Sequence, residues 1–72
     1  MERNMNDYLV LIYVDGEICG AIPTRDEQQA QLFAVIAMHD KENERAEVYK
    51  RLEIEAGKVG YIRIGECLRR EL

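Results

Sequence analysis

The chain has 72 residues, 47% of them hydrophobic and 33% charged, and a formal net charge of −4. That length allows one domain, which buries only about 60% of its extended-chain surface and is marginal when it stands alone. The composition excludes a disordered chain, the mild acidity disfavours nucleic acid or an anionic membrane as partner, and two cysteines are too few for a disulfide framework.

Residues 1–7 read as a polar N-terminal tail and residues 8–72 as a single α+β domain. The first apolar run, residues 9–14, is shorter than a signal-peptide core and far shorter than the roughly twenty apolar residues of a spanning helix. The expected location is the cytoplasm, without membrane contact. There Cys19 and Cys67 stay reduced and pack as small hydrophobes.

The stretch YLVLIYV is β-branched and aromatic throughout, and Asp15-Gly16 separates it from EICGAI. An Asp-Gly pair between two apolar runs predicts a β-hairpin with a two-residue turn, because both turn positions need positive φ. Val14 then faces Glu17, Tyr13 faces Ile18, Ile12 faces Cys19, Leu11 faces Gly20, Val10 faces Ala21 and Leu9 faces Ile22. One face of the hairpin carries Tyr8, Val10, Ile12, Val14, Cys19 and Ala21, with Glu17 at its end. The other carries Leu9, Leu11, Tyr13, Ile18 and Ile22, with Gly20. Both faces are apolar, whereas a half-exposed hairpin alternates apolar with polar. Both therefore need cover.

Residues 23–42 predict a helix, with Thr24 and Glu27 as its capping box. At about 100° per residue, Ala30, Phe33, Ala34, Ile36 and Ala37 form a broad apolar stripe. From Leu32 to Met38 the helix is apolar almost all round, more so than a surface helix should be. Residues 40–45 are a charged connection. Residues 46–56 fit a strand, with Val48, Lys50, Leu52 and Ile54 on one face, or a helix, with Val48, Leu52 and Ala56 in line. The strand is favoured because RLEIE alternates cleanly and the hairpin needs partners. A turn at AGK leads into VGYIRIG as a fourth strand, and ECLRREL frays, extends that strand or makes a helical turn.

No chemistry-bearing motif emerges. His39 stands beside Asp40, Glu42 and Glu44 without the converging ligands of a metal site or the glycine of a calcium loop. Cys67 lies near Arg69 and Arg70, which lower a thiol pKa where they are close, but no base accompanies it. There is no phosphate loop and no Ser-His-acid signature. No catalytic residue, metal ligand or cofactor is expected. Tyr61 and Arg63 on one sheet face faintly suit single-stranded nucleic acid, and fourteen acidic residues permit an acidic mimic that blocks a nucleic-acid-binding protein. Glu47, Glu53, Glu55, Glu66 and Glu71 dilute the first reading, and ten interleaved basic residues weaken the second.

The expected architecture is β-β-α-β-β, an antiparallel sheet with one helix on one face. One helix shelters one sheet face, so the other should meet a second protein, most simply a second copy. The small residues Cys19 and Ala21 favour the Val10 face for the helix, which leaves Leu9, Leu11, Tyr13, Ile18 and Ile22 as the interface. The functional expectation is a small non-enzymatic interaction module, regulatory or inhibitory, acting as a homodimer. A heterologous protein is the nearest rival partner. Phage and mobile-element genomes encode accessory proteins of this size and pattern.

Overall fold

The computed structural model describes residues 6–68. Most of the expected polar tail and residues 69–72 lie outside that range. The chain runs β1 (Tyr8–Val14), β2 (Glu17–Thr24), α1 (Glu27–Ala37), β3 (Arg45–Glu55) and β4 (Lys58–Leu68). The strands make one antiparallel sheet in the order β2-β1-β3-β4, with α1 on one face. This is the predicted α+β arrangement. The segment that also fitted a helix is strand, because β3 pairs with β4 along its length and with β1 as far as Lys50. The strand β4 runs on through Leu68.

The first hairpin turns at Asp15 (φ 54°) and Gly16 (φ 79°), and Val14 pairs with Glu17 and Tyr13 with Ile18, as predicted. Beyond that the predicted register fails. A β-bulge leaves Cys19 without a partner, so Ile12 faces Gly20, Leu11 faces Ala21, Val10 faces Ile22 and Leu9 faces Pro23. A one-residue slip moves every later side chain to the opposite face. Ile22 therefore joins Val10 against the helix, and is withdrawn from the open-face set, while Ala21 takes its place. Cys19, expected to be buried, is exposed. The strand also continues through Pro23, which an edge strand tolerates.

That extension displaces the predicted helix cap. Thr24 is the last residue of β2, buried, and its hydroxyl donates to the Asp26 carbonyl at 3.3 Å. The N-cap is Asp26, whose backbone is extended and whose Oδ1 accepts from the Gln28 N–H at 3.0 Å. The helix is also shorter than predicted at its far end. The amide of Met38 bonds back to Ala34 and Val35, and the side chain of Asn43 donates to the Ala37 carbonyl at 2.7 Å, which satisfies an orphan acceptor of the last turn.

The core is Val10, Ala30, Ala34, Ala46 and Val48, with Tyr8, Ile12, Ile22, Phe33, Met38 and Cys67 packed around it. The strand β1 pairs with β3 only as far as Tyr8 opposite Lys50. Beyond that point β3 and β4 continue alone, from Arg51 opposite Tyr61 to Glu55 opposite Lys58, and turn through Gly57 at φ 80°. They form a two-stranded arm on a molecule measuring 46 × 20 × 17 Å.

Replacing Asp26 with alanine removes the cap oxygen and should cost about 1 kcal/mol, within the usual range of about 0.5–2. Urea titration of both proteins measures it. An unchanged midpoint in a folded variant would return the cap to another residue.

Candidate interaction surfaces

The groups singled out for chemistry do not converge. Among the described residues no group of three or more His, Cys, Asp and Glu side chains is placed to hold a metal. His39 is exposed just past α1. Its acidic neighbours build the loop: the Asp40 carboxylate accepts from the Glu42 N–H at 3.0 Å, and that of Glu44 accepts from the Gly16 N–H at 2.8 Å, tying the loop to the hairpin turn. Both cysteines are free. They lie on opposite edge strands, three strand spacings or roughly 14 Å apart, against the limit of about 7 Å between disulfide-linked Cα atoms. Arg69 and Arg70 lie outside the described residues. Among the described residues one open groove of about 240 Å³ lies between α1 and β4 with Glu66 and Cys67 in its lining, and another of about 360 Å³ is lined by Asp26, Gln28, Gln29 and Leu32.

The sheet face away from α1 divides into two halves. Leu9, Leu11 and Tyr13 stand on β1 with Ile18, Ala21 and Pro23 of β2 beside them. On the other side β1 faces Tyr49, Glu47 and Arg45 of β3 in the same order. Glu47 is only 4% exposed although no helix covers it. Arg45 Nε reaches its carboxylate at 3.0 Å, the Tyr49 hydroxyl donates to it at 2.7 Å, and Arg63 Nη1 lies 3.3 Å away. The Arg45 guanidinium also lies over the Tyr13 ring, 3.9 Å from its centre. Burial by itself would raise the Glu47 carboxyl pKa, but hydrogen bonds from Tyr49, Arg45 and Tyr13 outweigh it and hold the group below the ordinary value. Tyr49 is pushed up to about 12, first by its bond to Glu47 and then by burial.

This cluster was only partly legible in the sequence. Glu47 and Tyr49 fall in the segment read as strand, but Arg45 falls in the one read as a charged connection, and Arg63 joins them only through the register of β4. There Tyr49 faces Arg63 while Val48 faces Gly65, and Ile64 is the extra residue. Arg63 also lies 3.9 Å from Glu66. The guanidinium of the nucleic-acid reading is therefore engaged by two carboxylates.

Of the five expected interface residues, Leu9, Leu11 and Tyr13 are half-buried, Ile18 is 55% exposed and Ile22 faces the helix. Larger apolar exposure lies elsewhere. The outer face of α1 shows Leu32, Val35 and Ile36, each at least half exposed. The arm shows Leu52, Ile54, Val59, Tyr61 and Ile62, with Ile54 at 67%. Alternation from the buried Val48 puts Lys50 and Leu52 on the helix side, and the partners of these two, Ile62 and Gly60, share that side. Ile54 lies across Gly60, where an added Cβ would stand 2.7 Å from Ile54 Cδ1.

Because Glu47 titrates lower in the folded state, its stabilisation is full above the ordinary carboxylate value and is lost as pH falls through the folded one. Urea stability measured from about pH 6 to about pH 3 should drop more steeply in the native protein than in Glu47→Gln. At neutral pH that variant should lose about 1.5 kcal/mol, held low because Arg45 and Arg63 keep contact with water. The Tyr49 contribution runs the other way, full below about pH 10 and lost as pH rises through about 12.

Among the described residues no helix is long and apolar enough to cross a membrane. No protein-family model, no curated protein and no solved structure matches the chain.

Proposed function

We propose that this chain is a non-enzymatic protein-interaction module, regulatory or inhibitory in role, that acts as a homodimer. One observation carries the reading. Among the described residues the buried core consists of two valines and three alanines, while eleven large apolar residues are at least 39% exposed. At about 25 cal/mol per Å² of apolar surface removed from water, small side chains contribute little and large ones contribute most. The larger apolar side chains that join this core, Tyr8, Ile12, Ile22, Phe33 and Met38, are only partly buried. Exposed apolar patches above a few hundred Å² mark interaction sites on folded proteins.

The polar groups support the same reading. Asp40, Glu44 and Asn43 hold the loop between α1 and β3, and Glu47, Arg45, Tyr49 and Arg63 hold one another. These groups stabilise the fold and do not aim into a cleft. The engagement of Arg63 by Glu47 and Glu66 speaks against single-stranded nucleic acid, and the pairing of those acids with arginine speaks against an acidic mimic.

Light scattering at micromolar concentrations tests the assembly, with an expected mass of twice 8.4 kDa. A mass of 8.4 kDa throughout that range would end the homodimer and give the apolar surface to a different protein.

A further inference from the structure

Two of the exposed apolar surfaces lie on the helix side of the sheet and too far apart on one chain to meet. The first is the outer face of α1. Ala30 and Ala34 point to the sheet, and at about 100° per residue Leu32 stands opposite them with Val35 and Ile36 beside it. The second is the helix side of the arm, formed by Leu52, Ile54 and Ile62. Their relative placement follows from the register. Thr24 pairs with Tyr8, and Tyr8 pairs with Lys50, so α1 begins at the end of the sheet from which the arm leaves. The arm runs on past the helix N-terminus as a shelf one layer below it. Both surfaces look outward on the same side of the sheet.

We propose that two copies associate helix side to helix side about a twofold axis, so that the arm of each lies on the outer face of α1 of the other. The inference rests on the homodimer reading and names its surface. The two helices then form a middle layer between two sheets, each packed by its alanines on its own sheet and by Leu32, Val35 and Ile36 under the partner's arm. The dimensions agree. About five residues per strand give the arm a reach of roughly 16 Å, and the eleven residues of α1 are about as long.

The areas agree too. Six large apolar side chains, about half exposed, offer roughly 400–500 Å² per protomer. A standard interface of about 800 Å² per partner contains about 450–520 Å² of apolar surface. A second copy is the partner of choice because it presents both surfaces at once, in a contact that closes on itself. The arm also needs the cover, since a two-stranded ribbon is marginal in water without packing.

Two exposed positions test this without touching the core, Leu32→Glu on the helix and Ile54→Lys on the arm. Circular dichroism should show both variants folded. Each alone should raise the dimer dissociation constant at least tenfold by sedimentation or light scattering. An equimolar mixture should recover dimer, because the mixed pair keeps one unaltered arm-to-helix contact and sets Glu against Lys in the other. Ile18→Glu, on the open sheet face, should leave the mass unchanged. Failure of the mixture to recover would mean that arm meets arm or helix meets helix, and would overturn the proposal. So would a dimer that neither variant weakens, or one that Ile18→Glu splits; in those cases the homodimer stands on another surface. A monomeric native protein removes the homodimer itself, which is a distinct failure.

Discussion

The close seat of α1 on the sheet governs the rest of the molecule. Ala30 and Ala34 meet Val10, Ala46 and Val48, and these five are the buried apolar core. Side chains this short bring helix and sheet backbones near each other, and interiors pack densely enough that a larger residue at any of the five would lift the helix. The consequence is an inverted distribution of size. A helix that approaches on alanines turns Leu32, Val35 and Ile36 outward. Ordering each residue costs about 1–2 kcal/mol of backbone entropy, and a core of five small side chains opposes that cost weakly. The same geometry that builds the fold leaves large apolar side chains exposed on one copy.

The opposite sheet face is governed by one carboxylate. A buried charge is tolerated when it is paired and hydrogen-bonded, and Glu47 has Arg45, Tyr49 and Arg63. The pairing depends on the bulge at Ile64. Without the extra residue Tyr49 would face Ile64, and Arg63 would face Lys50 on the helix side, away from Glu47. The bulge in β2 works in the same manner, turning Ile22 into the core and Cys19 out of it. In each edge strand one inserted residue re-aims a side chain on which a face depends.

These bulges explain which parts of the structure were legible in the sequence. The elements, their order and the Asp15-Gly16 turn follow from alternation and turn chemistry, which are local. Where a strand changes register is not local. Cys19, Gly20 and Ala21 are all small and carry no pattern, and with both hairpin faces apolar neither register looked worse than the other. The helix cap was obscured for a related reason. Thr24 and Asp26 both satisfy capping rules, and the choice fell to Asp26 only because β2 keeps pairing with β1 through Thr24. Of the ionic cluster, Arg45 fell in the segment read as a charged connection, and Arg63 required a register that no local signal gives.

The bulges also bear on how two copies can meet. An unpaired sheet edge is a template for another strand, and among the described residues the two full-length edges of this sheet are β2 and β4, with a short third edge on β3 past Lys50 in the arm. The β2 edge carries Pro23 and the bulge at Cys19, and β4 is interrupted at Ile64 and carries Lys58 and Arg63. Pairing along either edge would lose ladder bonds at the bulge, and joining one edge to the other would continue from copy to copy without closing. The apolar area is arranged differently. It lies on the outer face of α1 and on the helix side of the arm, where contact needs no backbone pairing. The proposed association through those faces would use each surface once per copy and be complete at two. The interrupted edges and the exposed faces therefore favour the same outcome, a closed pair in preference to an extended sheet.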